Sequence, residues 1–265
     1  MSTIKLIASD LDGTLLDSTG KLPERNIRAV KSAIAKGIVF AICTGRMYSS
    51  AMRFAEQIGE KMPLICYNGA MLLDTDGREL QHIRLGVAIA RELLAIFKER
   101  GTYVQMYLDD KLYIKTTDAD EFQMYMKHFG MSGAAIGDEL YSPVSEPTKL
   151  LVMTKDGEEA KSLMRELQDR FGEKLYVTRS NSDFVEMMNP NVNKWNALLK
   201  LAEHMGFTAD EVMAMGDGDN DVEMVANSGM GIAMSNGGER IKKAAKYIAP
   251  SNDDGGAGWA IEKSF

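Results

Sequence analysis

A series of short apolar runs, each followed by polar residues, constrains the fold of this 265-residue chain more than any other feature. Residues 4–8 lead into the stretch DLDGTL at 10–15, and residues 38–43 lead into a Thr-Gly-Arg stretch. An amphipathic helical pattern lies between the two runs. Apolar runs of this length, separated by helices with short connections, are typical of parallel strands buried on both faces. The sequence therefore predicts an α/β fold with a Rossmann-like, doubly wound parallel-sheet core.

The pattern of the chain changes in its middle third. Helix-like, strand-like and hairpin-like segments follow one another there, which is typical of a mixed α+β module. A chain of 265 residues also exceeds one average domain. We predict an α/β core domain at residues 1–82 and 191–265 and an inserted α+β domain at residues 83–190.

Composition and charge narrow the class of protein. The net charge of −7 argues against a nucleic-acid partner, because proteins that bind nucleic acids usually carry a basic surface stripe. The first apolar run is interrupted by Lys5 and is too short for a signal peptide or a membrane span, so we expect no membrane partner. With only Cys43 and Cys66, a reducing, cytoplasmic location is the simplest expectation.

Polar side chains follow four of the predicted strands. Asp10 and Asp12 follow the first strand, Thr44 the second, Asn68 the third, and Asp217 a strand after the insertion. The carboxyl ends of parallel strands meet at one edge of a sheet, where α/β proteins bind ligands. Carboxylates brought together repel one another, so a cation is expected between them. Mg²⁺ fits best, since it prefers oxygen ligands and no His or Cys pair has zinc spacing.

Two common motifs can be compared with the acidic stretch at 216–221. A calcium loop is rejected because Val222 occupies the position of the required glycine and Ser228 that of the final glutamate. A dinucleotide-binding loop is rejected because Asp221 occupies the position of its third glycine, where a negative charge would repel a pyrophosphate.

Four motifs resemble those of the haloacid dehalogenase superfamily: DLDGT at 10–14, TGR at 44–46, Lys194, and GDGDND at 216–221. Their order, with the insertion between the second and third motifs, is similar to the Cof-type sugar-phosphatase branch, which carries a large α/β cap domain. The stretch YNGA at 67–70 is similar to a further signature of that branch. The resemblance implies that the inserted domain is this cap.

The resemblance implies a phosphoric monoester hydrolase that acts on small phosphorylated metabolites, in particular sugar phosphates, through a phospho-aspartyl intermediate. Asp10 is then the nucleophile, and Asp12 is the general acid and base. Lys194 is expected to neutralise charge on the phosphate and on the nucleophile.

The resemblance also implies a set of binding residues. Mg²⁺ would be held by Asp10, by the backbone carbonyl of Asp12 and by Asp217, with Asn220 and Asp221 as supporting partners. The residues expected to bind the substrate are Leu11, Thr44, Gly45, Arg46, Asn68, Lys194 and Asn220.

Some alternatives stay open at this point. Arg46 is expected either to contact the substrate or to form a structural ion pair. A phosphomutase would share the aspartyl-phosphate step, and a non-catalytic phosphate sensor would need only the binding groups.

Trp195 stands where the family often has glycine, and its place on an apolar helix face predicts a packing role.

Overall fold

The computed structural model describes residues 4–264, which form two compact units. The first unit comprises Met1–Gln81 and Asn193–Phe265, and the second comprises His82–Val192. Each unit is built around its own mixed arrangement of strands and helices. The predicted α/β fold class is confirmed.

The strands and helices follow one another along the chain in three groups. Before the second unit they are β1 (Leu6–Ser9), α1 (Glu24–Ala35), β2 (Val39–Cys43), α2 (Tyr48–Ile58), β3 (Leu64–Cys66), β4 (Met71–Leu73) and β5 (Glu79–His82). The next group is α3 (Val87–Arg100), β6 (Val104–Leu108), β7 (Lys111–Ile114), α4 (Asp120–Phe129), β8 (Ala134–Ala135), β9 (Lys149–Met153), α5 (Gly157–Phe171), β10 (Tyr176–Asn181) and β11 (Phe184–Met188). The last group is α6 (Lys194–His204), β12 (Val212–Gly216), α7 (Val222–Asn227), β13 (Met230–Met234), α8 (Glu239–Ala244), β14 (Tyr247–Ala249) and α9 (Gly256–Ser264).

One eight-stranded sheet, in the order β14-β13-β12-β1-β2-β3-β4-β5, forms the centre of the first unit. Pairing is parallel from β14 to β3. The chain winds to one side of β1 through β2 and β3 and to the other side through β12 and β13. The boundary between β1 and β12 is therefore the topological switch point, where open α/β sheets bind ligands.

The sheet departs from the predicted parallel pattern at one edge. β4 pairs antiparallel with β3. Only a tight turn at Tyr67–Gly69 and the next residue separate these strands, which is too short for the crossover that a parallel pair needs. Tyr67 and Asn68 both adopt positive φ angles, of 52° and 55°, and this reverses the chain direction.

Helices begin and end in the first unit where the sequence signals them. α1 starts directly after Pro23, and α2 ends at Gly59, which has a φ of 77°. Trp195 on α6 packs, partly buried, against the core, as its position on the apolar face predicted. None of the helices in the described range 4–264 has the length and apolar character needed to cross a bilayer.

The second unit is built on a six-stranded sheet in the order β10-β11-β9-β6-β7-β8. Its main apolar core combines buried side chains of α3 and α5 with those of β6, β9 and β11. A buried ion pair joins β9 to β11, with Lys149 Nζ 2.8 Å from Glu186 Oε1. Helix α4, whose first turn begins with Asp120 and Glu121, was not predicted.

Candidate active site

The acidic cluster forms where β1 and β12 end side by side. Ser9 and Met215 are paired in register, and the Asp10 amide donates to the Met215 carbonyl at 3.0 Å. The next residues along each strand therefore emerge at the same point of the sheet edge. Carboxylate oxygens of Asp10, Asp217 and Asp221 lie within 4.8 Å of one another.

Lys194 lies in this cluster at the first position of α6. Its side chain is buried, and its Nζ donates to Asp10 Oδ1 at 2.7 Å and to Asp221 Oδ1 at 2.6 Å. Burial alone would lower the pKa of Lys194, but the two adjacent carboxylates outweigh it and hold the pKa well above its ordinary value. The lysine is therefore positively charged.

One ammonium group among three carboxylates leaves an excess of negative charge. Burial, with a further contribution from Asp221, raises the pKa of Asp217 to about 7. Burial likewise raises the pKa of Asp10 well above its usual range, against the opposing effect of Lys194. A partly buried, oxygen-only donor set with uncompensated negative charge fits a hard divalent cation such as Mg²⁺.

Asp221 organises the loop after β12. Its Oδ2 accepts hydrogen bonds from the backbone amides of Asp217 at 3.1 Å and Gly218 at 3.0 Å, while its Oδ1 accepts from Lys194. The side chain is fully buried. Both carboxylate oxygens thus serve to hold Asp217 and Lys194 in place, so Asp10 and Asp217 are the carboxylates better suited to bind a metal.

Gly13 lies where the loop after β1 meets Asp217. Its φ is 73°, and a Cβ at this position would lie 2.3 Å from Asp217 Oδ2. The neighbouring hydroxyl, Thr14 Oγ1, donates to Asp217 Oδ1 at 2.8 Å. Only glycine allows both the backbone conformation and the close approach of the carboxylate.

Asp12 points to a different partner from the other acids. Arg46 donates from Nε to Asp12 Oδ2 at 2.7 Å and from Nη2 to Asp12 Oδ1 at 2.5 Å. The Arg46 backbone amide also donates to Thr44 Oγ1 at 3.1 Å, at the end of β2. Arg46 thus forms an ion pair with Asp12, one of the two roles expected for it, and contact with the substrate stays a prediction.

Three further residues of the predicted set meet beside the cluster. Asn220 Nδ2 donates to Asn68 Oδ1 at 2.8 Å. A Cβ on Gly45 would lie 2.9 Å from the same Asn68 oxygen, so glycine permits this contact. Asn68 is buried in a left-handed conformation that non-glycine residues rarely adopt. Such backbone strain persists where the surroundings hold a residue in place, often at functional sites.

The model of one protein family, described as haloacid dehalogenase-like hydrolase, matches residues 7–261. This chain belongs to that family. A solved haloacid dehalogenase-like hydrolase from Bacteroides thetaiotaomicron has a TM-score of 0.89 and 28% sequence identity, and the match covers 99% of this chain and 100% of that one.

Two curated relatives add detail to the family assignment. The chain is 28% identical over 287 residues to 5-amino-6-(5-phospho-D-ribitylamino)uracil phosphatase YwtE of Bacillus subtilis, covering 98% of each protein. It is 29% identical over 266 residues to the chloroplastic endoribonuclease YBEY of Arabidopsis thaliana, but this covers only 45% of that longer protein. The predicted superfamily, its Cof-type branch and the assignment as a phosphatase are confirmed.

Two residues that hold the active site of this haloacid dehalogenase-like hydrolase together were not predicted from the sequence. Ser50 accepts a hydrogen bond from Arg46 Nη1 at 3.3 Å. Asn236, two residues after β13, donates from Nδ2 to the Gly13 carbonyl at 2.8 Å. A signal for Asn236 was present, because it follows an apolar run just as Asp10 and Thr44 do.

Proposed function

We propose that this hydrolase is a Mg²⁺-dependent phosphatase that cleaves small phosphorylated metabolites, in particular sugar phosphates, through a phospho-aspartyl intermediate on Asp10. The observation that carries the proposal is the pairing of Asp10 with the buried Lys194 beside the carboxylate of Asp217. A carboxylate held by a cation at a sheet edge is suited to attack a phosphate monoester, whose own negative charge would otherwise repel it.

The first step transfers the phosphoryl group to the enzyme. A carboxylate oxygen of Asp10 bonds to phosphorus as the bond from phosphorus to the substrate oxygen breaks, and Asp12 donates a proton to the leaving alcohol. The hydroxyl of Thr44 and the backbone amide of Gly45 donate hydrogen bonds to the phosphoryl oxygens. Donors placed around these oxygens stabilise the charge that spreads over them in the transition state.

The second step returns Asp10 to its free form. Asp12, now a carboxylate, accepts a proton from a water molecule as that water attacks phosphorus. The bond between phosphorus and Asp10 breaks, and inorganic phosphate leaves. Lys194 holds Asp10 throughout and balances the negative charge that its carboxylate regains.

The same residues supply the oxygen ligands proposed for the cation. Mg²⁺ would be held by the carboxylates of Asp10 and Asp217 and by the backbone carbonyl of Asp12, with Asn220 and Asp221 as supporting partners. When bound, it would neutralise part of the charge on the phosphoryl oxygens. The residues would then supply the Asp10 nucleophile, orient the phosphate, and move one proton in each of the two steps.

The substrate class is inferred from chemistry and from one relative. The Bacillus subtilis relative is named for a compound that carries a phosphate on a ribityl chain. We extend this to phosphate monoesters of small polyhydroxylated metabolites, with sugar phosphates first.

The test is a panel of sugar phosphates, polyol phosphates and nucleotides incubated with MgCl₂, with release of inorganic phosphate as the readout. We expect turnover of several sugar phosphates, its loss on chelation of the metal, and its loss in Asp10→Asn. The matched control is Asp76→Asn, which changes an exposed aspartate paired with Lys61. Full turnover by Asp10→Asn would refute the proposal, and isomerised sugar phosphate without free phosphate would indicate a phosphomutase.

A further inference from the structure

Three asparagine side chains donate hydrogen bonds to backbone carbonyls of the loop at 10–16. They come from places far apart in the sequence: α1, the turn after β13, and the segment after β14. Each bond fixes the orientation of one peptide plane in the loop. The bonds are Asn236 Nδ2 to Gly13 O at 2.8 Å, Asn26 Nδ2 to Leu15 O at 2.8 Å, and Asn252 Nδ2 to Leu16 O at 2.9 Å.

Asn236 differs from the other two in its exposure and in its position next to the acidic cluster. Asn26 and Asn252 are buried, whereas Asn236 is exposed. The Oδ1 atom of Asn236 accepts a hydrogen bond from the Asn252 backbone amide at 3.0 Å. Because one end of the side-chain amide faces a donor and the other faces a carbonyl, its orientation is determined by its partners.

The turn that carries Asn236 also contacts the loop of Asp217. The Gly238 amide donates to the Asp217 carbonyl at 3.3 Å, and a Cβ on Gly237 would lie 3.0 Å from that same oxygen. On the other side, Thr14 binds the Asp217 carboxylate. Asn236 therefore holds the carbonyl of the Gly13–Thr14 peptide, and the side chain of the next residue, Thr14, orients Asp217.

We propose that Asn236 is a positioning residue for the reaction. By fixing the Gly13–Thr14 peptide, it sets the position of Asp12 on one side of that peptide and the Thr14–Asp217 hydrogen bond on the other. Its effect on turnover rests on the proposed phosphatase function, whereas its effect on the order of the loop does not. An exposed side chain with this role contributes little to the core, so its loss is expected to affect rate more than folding.

The kinetic test compares Asn236→Ala and Asn236→Asp with the control Asn227→Ala. Asn227 is also exposed, and its Nδ2 donates to a backbone carbonyl, that of Glu223, at 2.8 Å. We expect kcat to fall by at least about tenfold in Asn236→Ala, with KM within about twofold of the wild type, because small displacements of reacting groups are costly. Asn236→Asp should fall further, since a carboxylate oxygen facing the Gly13 carbonyl repels it.

Hydrogen exchange provides a readout that does not depend on activity. The amides of Leu15 and Leu16 close the loop by donating to the carbonyls of Asp10 and Leu11 at 3.2 and 2.9 Å. These amides should exchange faster in Asn236→Ala than in the wild type and should be unchanged in Asn227→Ala. Unchanged exchange, or a kcat equal to that of Asn227→Ala, would overturn the proposal. Faster exchange in Asn236→Ala, combined with a wild type that hydrolyses no phosphate ester, would refute the phosphatase and leave only the ordering of the loop by Asn236.

Discussion

The guanidinium group of Arg46 binds both carboxylate oxygens of Asp12, through Nε at 2.7 Å and Nη2 at 2.5 Å. The Arg46 side chain is 13% exposed and the Asp12 side chain 43%. Arg46 is itself held by Ser50 and by the ring of Phe54, whose centroid lies 5.1 Å from Cζ. The planar guanidinium fork thus orients the proposed general acid through two hydrogen bonds at once.

Removing this fork should affect substrates that need a proton on the leaving group. In Arg46→Met, we expect kcat/KM for alkyl phosphates to fall by roughly 10- to 100-fold, a part of what a general acid contributes. For p-nitrophenyl phosphate, whose leaving group needs no proton, the fall should be less than about threefold. The measurement is the ratio of kcat/KM for the two substrates.

The control for Arg46 is Arg25→Met. Arg25 also binds one carboxylate through Nε and Nη2, that of Glu262 at 3.3 and 2.7 Å, but the pair lies on the surface. Its loss should leave both substrates unchanged. An equal fall for both substrates in Arg46→Met would show that Arg46 acts on the phosphate or on folding instead of on Asp12.

Position 13 requires glycine for two reasons: the positive φ of its backbone and the close approach of the Asp217 carboxylate. Gly13 and Gly20 have nearly equal φ angles, of 73° and 76°, but a Cβ meets Asp217 at the first position and no atom within 4 Å at the second. Gly20→Ala should cost about 1–2 kcal/mol of stability through backbone strain alone and keep full activity. Gly13→Ala should lose phosphate release and Mg²⁺ binding. Calorimetric titration with MgCl₂ and phosphate assays on both variants check this, and retained Mg²⁺ affinity in Gly13→Ala would contradict it.

Asp217 should make the metal-free protein less stable as the pH rises. Its pKa is about 7 in the folded protein against an ordinary 3.8, so between these values the folded state holds a proton that the unfolded state has lost. Stability is therefore lost as the pH rises through this window and is constant above it. In chelator, Asp217→Asn should gain stability over the wild type from pH 5 to about 7, measured by urea unfolding.

Mg²⁺ should cancel this advantage of Asp217→Asn. A bound cation favours the charged carboxylate, so the wild type should become the more stable protein in MgCl₂ at pH 7 and above. Asp76→Asn serves as the control and should follow the wild type under both conditions. A wild type that matches Asp217→Asn at every pH in chelator would count against the assigned pKa.

The two buried ion pairs of Lys194 and Lys149 should respond differently to metal. Lys194→Met leaves Asp10 and Asp221 without their ammonium partner, and Lys149→Met does the same to Glu186. Each change should cost about 3–5 kcal/mol in the absence of metal, because a buried charge is left uncompensated. Saturating Mg²⁺ should recover part of the loss only in Lys194→Met, where the carboxylates belong to the cation site. Unfolding free energies with and without Mg²⁺ provide the comparison, and an equal effect of Mg²⁺ on both variants would contradict it.

Local signals in the sequence were sufficient for the elements that alternate strictly between strand and helix. Apolar runs identified β1, β2 and β12, since burial on both faces leaves a continuous apolar pattern, and proline and glycine boundaries identified α1 and α2. Thr208 and Glu211 have the spacing of a helix capping box in the sequence, and the Thr208 amide does donate to Glu211 Oε2 at 2.9 Å, although the box caps only a short 3-10 turn at Ala209–Glu211 before β12. The antiparallel edge at β4 was missed because a three-residue strand is too short to show a period. The helix α4 was missed although Phe122, Tyr125, Met126 and Phe129 repeat at helical spacing.

The sequence by itself determined the α/β class, the family and the residue types at the strand ends, because strand period and motif spacing are local properties of the chain. Only the tertiary structure decided how those residues pair. The contacts of Asp221 with Lys194, of Arg46 with Asp12, and of Asn236 with Gly13 join positions 27, 34 and 223 residues apart. Pairing of this kind depends on strand order, on which charges are buried together and on which carbonyls lie within reach of an amide, and none of these is encoded in a local pattern.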